Sequence, residues 1–298
     1  MEENNCSYLS SRGIIKSCKY RDIFIQSSCP TISKMVKIND NTKNVIYVCN
    51  TALPFFIRNA LPTINFRYIL VSGDSDTDIP INFNNKLFEY FVTDKRLIHW
   101  YCQNYNPKIY NNFDKITQIP IGLDYHTMSY NSTNWGTQIK PIKQEILLKE
   151  IKKNSLPFSE RIIKCYSNFH FSLNGIHCYD RREALNLIDK SLVFYEENQI
   201  QRKETWINQS KYAFVLSPHG NGLDCHRTWE ALCLGCIPIV KTSCLDKLYD
   251  DLPVLIVNKW NDINEILLGQ TILDYQTKKF NYDKLNLKYW VDKIYNTL

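Results

Sequence analysis

Arg227 and Glu230 stand three residues apart, just beyond a loop that carries two glycines, Ser217-Pro218-His219-Gly220-Asn221-Gly222. On a helix that spacing puts both side chains on one face. A guanidinium there can hold a diphosphate, and a carboxylate can accept hydrogen bonds from the vicinal hydroxyls of a ribose. The glycines let backbone approach a ligand closely, and His219 beside them can donate a hydrogen bond. A plain surface ion pair between Arg227 and Glu230 would show the same spacing.

Two other stretches carry acid–base groups. Asp74, Asp76 and Asp78 alternate along Gly73-Asp74-Ser75-Asp76-Thr77-Asp78. Read as D-x-D, Asp74 and Asp76 can hold a divalent cation on a nucleotide diphosphate. Read singly, one of them is a candidate base for an acceptor hydroxyl. Read as a turn, Asp and Ser bond locally to backbone. A calcium loop is excluded, because Ile79-Pro80 stands where such a loop needs glycine. Asp124 and His126, in Gly122-Leu123-Asp124-Tyr125-His126, form the second candidate, as base, substrate contact or ordinary turn.

The elements that must position these groups follow from hydrophobic pattern. Tyr212–Leu216 is a continuous apolar run, as in a strand buried on both faces of a parallel sheet. The glycine loop follows, Asp224 is placed to cap a helix over 225–234, and Gly235 ends it. The next strand begins at Ile237, with Pro238 near its start. A glycine loop that leaves the carboxyl end of a parallel strand and enters a helix N-terminus is an anion site. It lies at the edge where open α/β sheets bind ligands. Ser217, Asn221 and Lys241 belong to the same edge and complete the expected ligand set.

Further strands are expected at 44–50, 66–72, 96–101, 116–121, 161–167, 192–196 and 254–257. Helices are expected at 84–92, at 180–189 with Asp180 as cap, at 203–209 and at 260–268. Residues 14–18 and 23–27 read as short edge strands or a capping arm, and Arg181 and Arg182, at a helix start, as surface residues ahead of phosphate contacts. Strands alternating with helices predict parallel sheets. The Lys-rich amphipathic helix over 144–153 marks a boundary between residues 1–145 and 146–298. At the C-terminus Leu287, Trp290, Val291, Ile294 and Leu298 share one helix face.

The segment SPHGNGLDCHRTWEALCLGCIPIVK resembles the nucleotide-sugar-binding segment of exostosin-like glycosyltransferases and related GT-B enzymes, including the ribitol xylosyltransferase type. The matched residues are Pro218, Gly220, Gly222, Arg227, Glu230, Ala231, Leu232, Gly235, Cys236, Ile237 and Pro238. The resemblance covers the loop, helix and strand of this unit; the rest of the chain fits the architecture only loosely. It implies two Rossmann-like domains, the first on the acceptor side and the second holding the donor, with a C-terminal helix crossing back to the first. It implies hexosyl or pentosyl transfer from a nucleotide-sugar to a hydroxyl of a glycan, protein or small molecule. No cofactor is required on this reading, and a divalent metal is not expected.

With 298 residues, 44% of them hydrophobic, the chain has material for one large or two medium cores. A net charge of +6 suits a cleft for an anionic nucleotide and lacks the concentrated basic stripe of a nucleic-acid binder. The 11 cysteines form no regular framework, which points to a reducing, cytoplasmic setting. Cys225, Cys233, Cys236 and Cys244 read as core cysteines ahead of a zinc site. Neither a signal pattern nor a transmembrane run is present in the sequence.

Two rival readings stand beside the transferase. One is a nucleotide-sugar-binding protein without turnover. The other is a metal-dependent GT-A-type transferase built on Asp74 and Asp76.

Overall fold

The computed structural model describes residues 2–35, 44–80, 83–107 and 114–297. Two parallel sheets organise them. The first holds β1 (Val45–Cys49), β2 (Tyr68–Gly73), β3 (Leu97–Cys102) and β4 (Ile116–Gln118), in the order β1-β2-β3-β4. The second holds β5 (Ile162–Ser167), β6 (Val193–Tyr195), β7 (Tyr212–Leu216), β8 (Ile237–Lys241) and β9 (Leu255–Val257), in the order β6-β5-β7-β8-β9. All pairings are parallel. The helices are α1 (Ser11–Ser17), α2 (Asn85–Val92), α3 (Pro141–Asn154), α4 (Tyr179–Leu187), α5 (Arg202–Gln209), α6 (His226–Cys233), α7 (Glu265–Thr277) and α8 (Leu287–Tyr295), with shorter turns between.

Strand order decides where a ligand can enter. In the second sheet the chain runs outward from β5 to β6, then returns past β5 to β7. The order reverses between β5 and β7, so their following loops part and open a crevice at the carboxyl edge.

Alternation along the strands sorts the cores. Ile46, Val48, Leu70 and Trp100 face Phe56 and Phe88 on one side of the first sheet. Tyr47, Val71 and Tyr101 face the other way and join Tyr166, Val215 and Trp229 of the second half in one apolar cluster. The two sheets therefore share a core instead of meeting across a wet gap. Leu287, Trp290 and Ile294 of α8 enter that cluster. Tyr101 Oη donates to the Lys293 carbonyl at 3.1 Å, and Tyr295 Oη to the Ser17 carbonyl at 2.8 Å. The C-terminal helix thus lies against the first sheet and α1.

Several local expectations change. Residues 14–18 lie in or beside α1 rather than in a strand, because the Ser10 hydroxyl accepts the Gly13 N–H at 3.1 Å and caps a helix whose Ile14 and Ile15 are buried. Residues 23–27 form no strand. β4 stops at Gln118, two residues before Pro120, which has no N–H for the ladder. The expected boundary at 145/146 falls inside α3, one continuous helix. Its Glu145 accepts the N–H groups of Ser7 and Tyr8 at 3.1 and 2.9 Å, binding the N-terminal segment to the middle of the chain. Around 260 a single 3-10 turn comes first, and the α-helix begins only after Asn264, which caps it.

Neither expected aspartate cap is one. Cys178 and Cys225 hold the N-cap positions of α4 and α6. Asp180 instead accepts from Trp260 Nε1 at 2.8 Å and His219 N at 2.9 Å. Asp224 accepts from Ile121 N at 2.8 Å and from Trp229 Nε1.

Candidate functional site

A cleft of about 430 Å³ opens at the carboxyl ends of β5, β6 and β7. One wall is the loop after β7 with the first turns of α6, which bring Asn221, Gly222, His226, Arg227 and Glu230 together. Phe169 and Phe171 come from the loop after β5, Arg181 from α4 and Glu196 from the end of β6. The first sheet contributes Asp76 and, beyond β4, Asp124; Trp135 closes the rim.

Arg227 is the centre of positive charge. Its Nη1 donates to the Pro218 carbonyl at 3.3 Å, and its guanidinium lies 5.7 Å from the Phe169 ring centroid. Desolvation pushes its pKa down to about 10. Among the described residues no carboxylate comes within ion-pair distance of it. A cation kept partly dry and unpaired favours any anion that enters. Arg181, expected on the surface, reinforces it. Its Nε donates to the His219 carbonyl at 3.2 Å and its Nη1 to the Ser172 carbonyl at 2.6 Å.

Gly222 permits the loop to touch the first half of the molecule. A Cβ there would stand 3.2 Å from the Asp76 Cα and carbonyl oxygen and from Asn104 Nδ2. At Gly220 a Cβ would intrude on the Arg181 guanidinium. Both glycines serve close approach, one to the opposite sheet and one to a cation.

Glu230 lies one turn into α6, its Oε1 4.0 Å from Arg202 Nε. Arg202 is already committed. Its Nη2 meets Asp124 Oδ2 at 2.9 Å and its Nη1 donates to the Asp124 carbonyl at 2.5 Å. Burial alone would raise the Asp124 pKa, but Arg202, His226 and His126 override it and hold the carboxyl far below its usual range. Asp124 is therefore a fixed negative charge and a weak base. It also accepts from Thr127 N at 3.0 Å and stands 3.1 Å from His126 Nδ1. Desolvation, opposed by Asp124, lowers the His126 pKa.

The three alternating aspartates part company. Asp76 lines the cleft. Asp74 turns to the N-terminal segment, with Ser27 Oγ at 3.1 Å and Arg12 Nε at 3.6 Å. Asp78 reaches across to His177 Nε2 at 3.1 Å. A strand-end loop turns every residue in a new direction, and Asp74 stands at φ 53°. Among the described residues no group of three or more His, Cys, Asp or Glu side chains is placed to hold a metal ion.

Six residues expected at the site do not line the cleft: Asp74, His126, Ser217, His219, Gly220 and Lys241. Ser217 Oγ is bonded to Thr228 Oγ1 at 2.8 Å, tying β7 to α6. His219 Nδ1 donates to the Leu223 carbonyl at 2.6 Å, and desolvation lowers its pKa. Both brace the loop from behind. Lys241 is drawn away by Asp180, at 2.7 Å, and by Glu183. Burial opposes its charge, yet these two carboxylates outweigh it and raise the pKa.

Sequence reading passed over His226 and Glu196. His226 Nδ1 lies 2.6 Å from the Gly122 carbonyl. A carbonyl only accepts, so Nδ1 carries a proton, and in the neutral imidazole the lone pair is on Nε2. Glu196 gave no motif; its position directly after a strand was the only available signal.

No helix among the described residues is long and apolar enough to cross a membrane. No protein-family model matches the chain, and no curated protein matches it significantly.

Proposed function

We propose that the cleft binds a nucleoside-diphosphate sugar and that the protein transfers the sugar to an acceptor hydroxyl on a glycan, protein or small molecule. The observation that carries this reading is Arg227. It is desolvated, without a carboxylate partner among the described residues, and set at the start of α6 where strand order reverses. Arg227, Arg181 and the helix N-terminus would neutralise the departing diphosphate, where negative charge grows in the transition state. Glu230 would fix ribose or sugar hydroxyls. A GT-B arrangement agrees with the two parallel sheets and the returning C-terminal helix.

For the acceptor, His226 is the best-placed base. Its Nδ1–H is fixed by Gly122, and Nε2 is left to take a proton. Asp76, on the opposite wall, is the carboxylate left for that role, since Asp124 is held ionised by Arg202.

The metal-dependent reading needs Asp74 and Asp76 to converge, and they face different surroundings. The binding-only reading draws on the saturation of Asp124. Release of nucleoside diphosphate from a nucleotide-sugar with acceptor present separates it from a transferase.

The test is thermal stability with UDP, GDP, CDP, ADP and their sugars, with and without EDTA, on wild type and Arg227→Leu. A ligand that binds only the native state adds about 2.7 kcal/mol at a hundred times its Kd. One nucleoside diphosphate should raise the melting temperature without metal, and Arg227→Leu should abolish the rise. If no nucleotide binds at saturating concentration, the proposal fails.

A further inference from the structure

We propose that the floor of the cleft reads the nucleobase, and that Glu196 selects guanine. This rests on the nucleotide-binding reading above and goes beyond it to the identity of the base.

Glu196 follows β6, which pairs with β5, and lines the cleft while nearly buried. Its Oε1 accepts from Tyr166 Oη at 3.0 Å and from Asn208 Nδ2 at 2.8 Å. These bonds fix the side chain. They leave Oε2, among the described residues, without a donor. A carboxylate can accept about four hydrogen bonds, so a ligand meets a rigid group that only accepts.

The spacing suits a nucleotide. The cations lie in α6 and α4, on the loops after β7 and β5, while Glu196 lies at the end of β6. From β7 to β6 is two strand spacings, about 10 Å, which leaves room for ribose and base beyond a diphosphate.

The edges of the bases then differ in fit. Guanine presents N1–H and the 2-amino group, two adjacent donors for a carboxylate. Uracil offers one N–H flanked by two carbonyl oxygens, each repelled by Glu196. Adenine and cytosine offer one amino donor beside ring nitrogens that only accept. Guanine alone supplies two adjacent donors to one carboxylate.

The experiment is calorimetric titration with inorganic pyrophosphate, GDP, IDP, UDP and ADP on wild type and Glu196→Gln. Wild type should bind GDP at least tenfold tighter than UDP or ADP, with IDP, which lacks the 2-amino group, between them. Glu196→Gln should bring GDP to the level of UDP and leave pyrophosphate affinity unchanged, the second result certifying an intact fold. Equal affinity of wild type for GDP and UDP overturns the proposal, as does a Glu196→Gln variant that keeps the GDP preference. Wild type that binds neither pyrophosphate nor any nucleotide overturns the nucleotide reading itself, a result distinct from loss of base preference.

Discussion

The Asp224 carboxylate accepts the Ile121 N–H at 2.8 Å, joining the loop that enters α6 to the chain just beyond β4. The Asp224 N–H in turn donates to Asn104 Oδ1 at 3.0 Å. The site's two walls are thus held in register by one residue's backbone and side chain. Desolvation outweighs the donors on this carboxyl and pushes its pKa up to about 6.

That shift has a sign. A carboxyl whose pKa is higher folded than unfolded binds more protons in the native state between the two values. Its contribution is complete below the unfolded pKa, near 4, and is lost as pH rises through about 6. The size is on the order of 2–3 kcal/mol, at about 1.4 kcal/mol per pKa unit. Asp224→Asn removes this titration. The stability of wild type relative to Asp224→Asn, from urea unfolding, should therefore be greater at pH 4.5 than at pH 7.5. A pH-independent difference would show that Asp224 titrates normally.

The two loop glycines should respond differently to alanine. At Gly222 the new methyl meets Asp76 backbone and Asn104, neither free to move without parting the walls. Gly222→Ala should lose about 1–3 kcal/mol, as overpacking does. At Gly220 the obstacle is a side chain, Arg181, which can swing aside. Gly220→Ala should stay close to wild type in stability and lose diphosphate affinity. Equal melting temperatures for the two variants would contradict this distinction.

Arg202 is the cation on which Asp124 depends. Arg202→Met leaves that buried carboxylate without its ion pair. Loss of one partner of a buried pair costs about 3–5 kcal/mol. Chemical denaturation should show a loss of that order, and Arg202→Met with Asp124→Asn should recover much of it. A double variant no better than the single one would mean the pair is not coupled.

His226 is testable by separating binding from turnover. His226→Gln keeps a side chain that can donate to Gly122 and removes the basic nitrogen. Nucleotide-induced stabilisation should persist, while transfer falls by about 10²–10⁴, the usual share of a general base. Unchanged turnover would remove His226 from the mechanism.

Local pattern carried most of the strands and the loop-and-helix segment that lines the cleft. A continuous apolar run such as Tyr212–Leu216, ended by a glycine loop, fits a strand buried on both faces, and a glycine loop entering a helix is local chemistry. Asn221, Gly222, Arg227 and Glu230 were legible because their spacing along one loop and one helix sets their relation. Tertiary structure alone decided which other polar groups join them. Asp74, Asp76 and Asp78 are equivalent in sequence, yet each answers to a different neighbour, Arg12, the cleft and His177. Lys241 reads as a ligand until Asp180 and Glu183 claim it. Glu196 and His226 acquire roles only through partners distant in the chain, Tyr166 and Gly122. Periodicity is a property of neighbours along the chain. The charge and free valence of a side chain are set by whatever the fold packs against it.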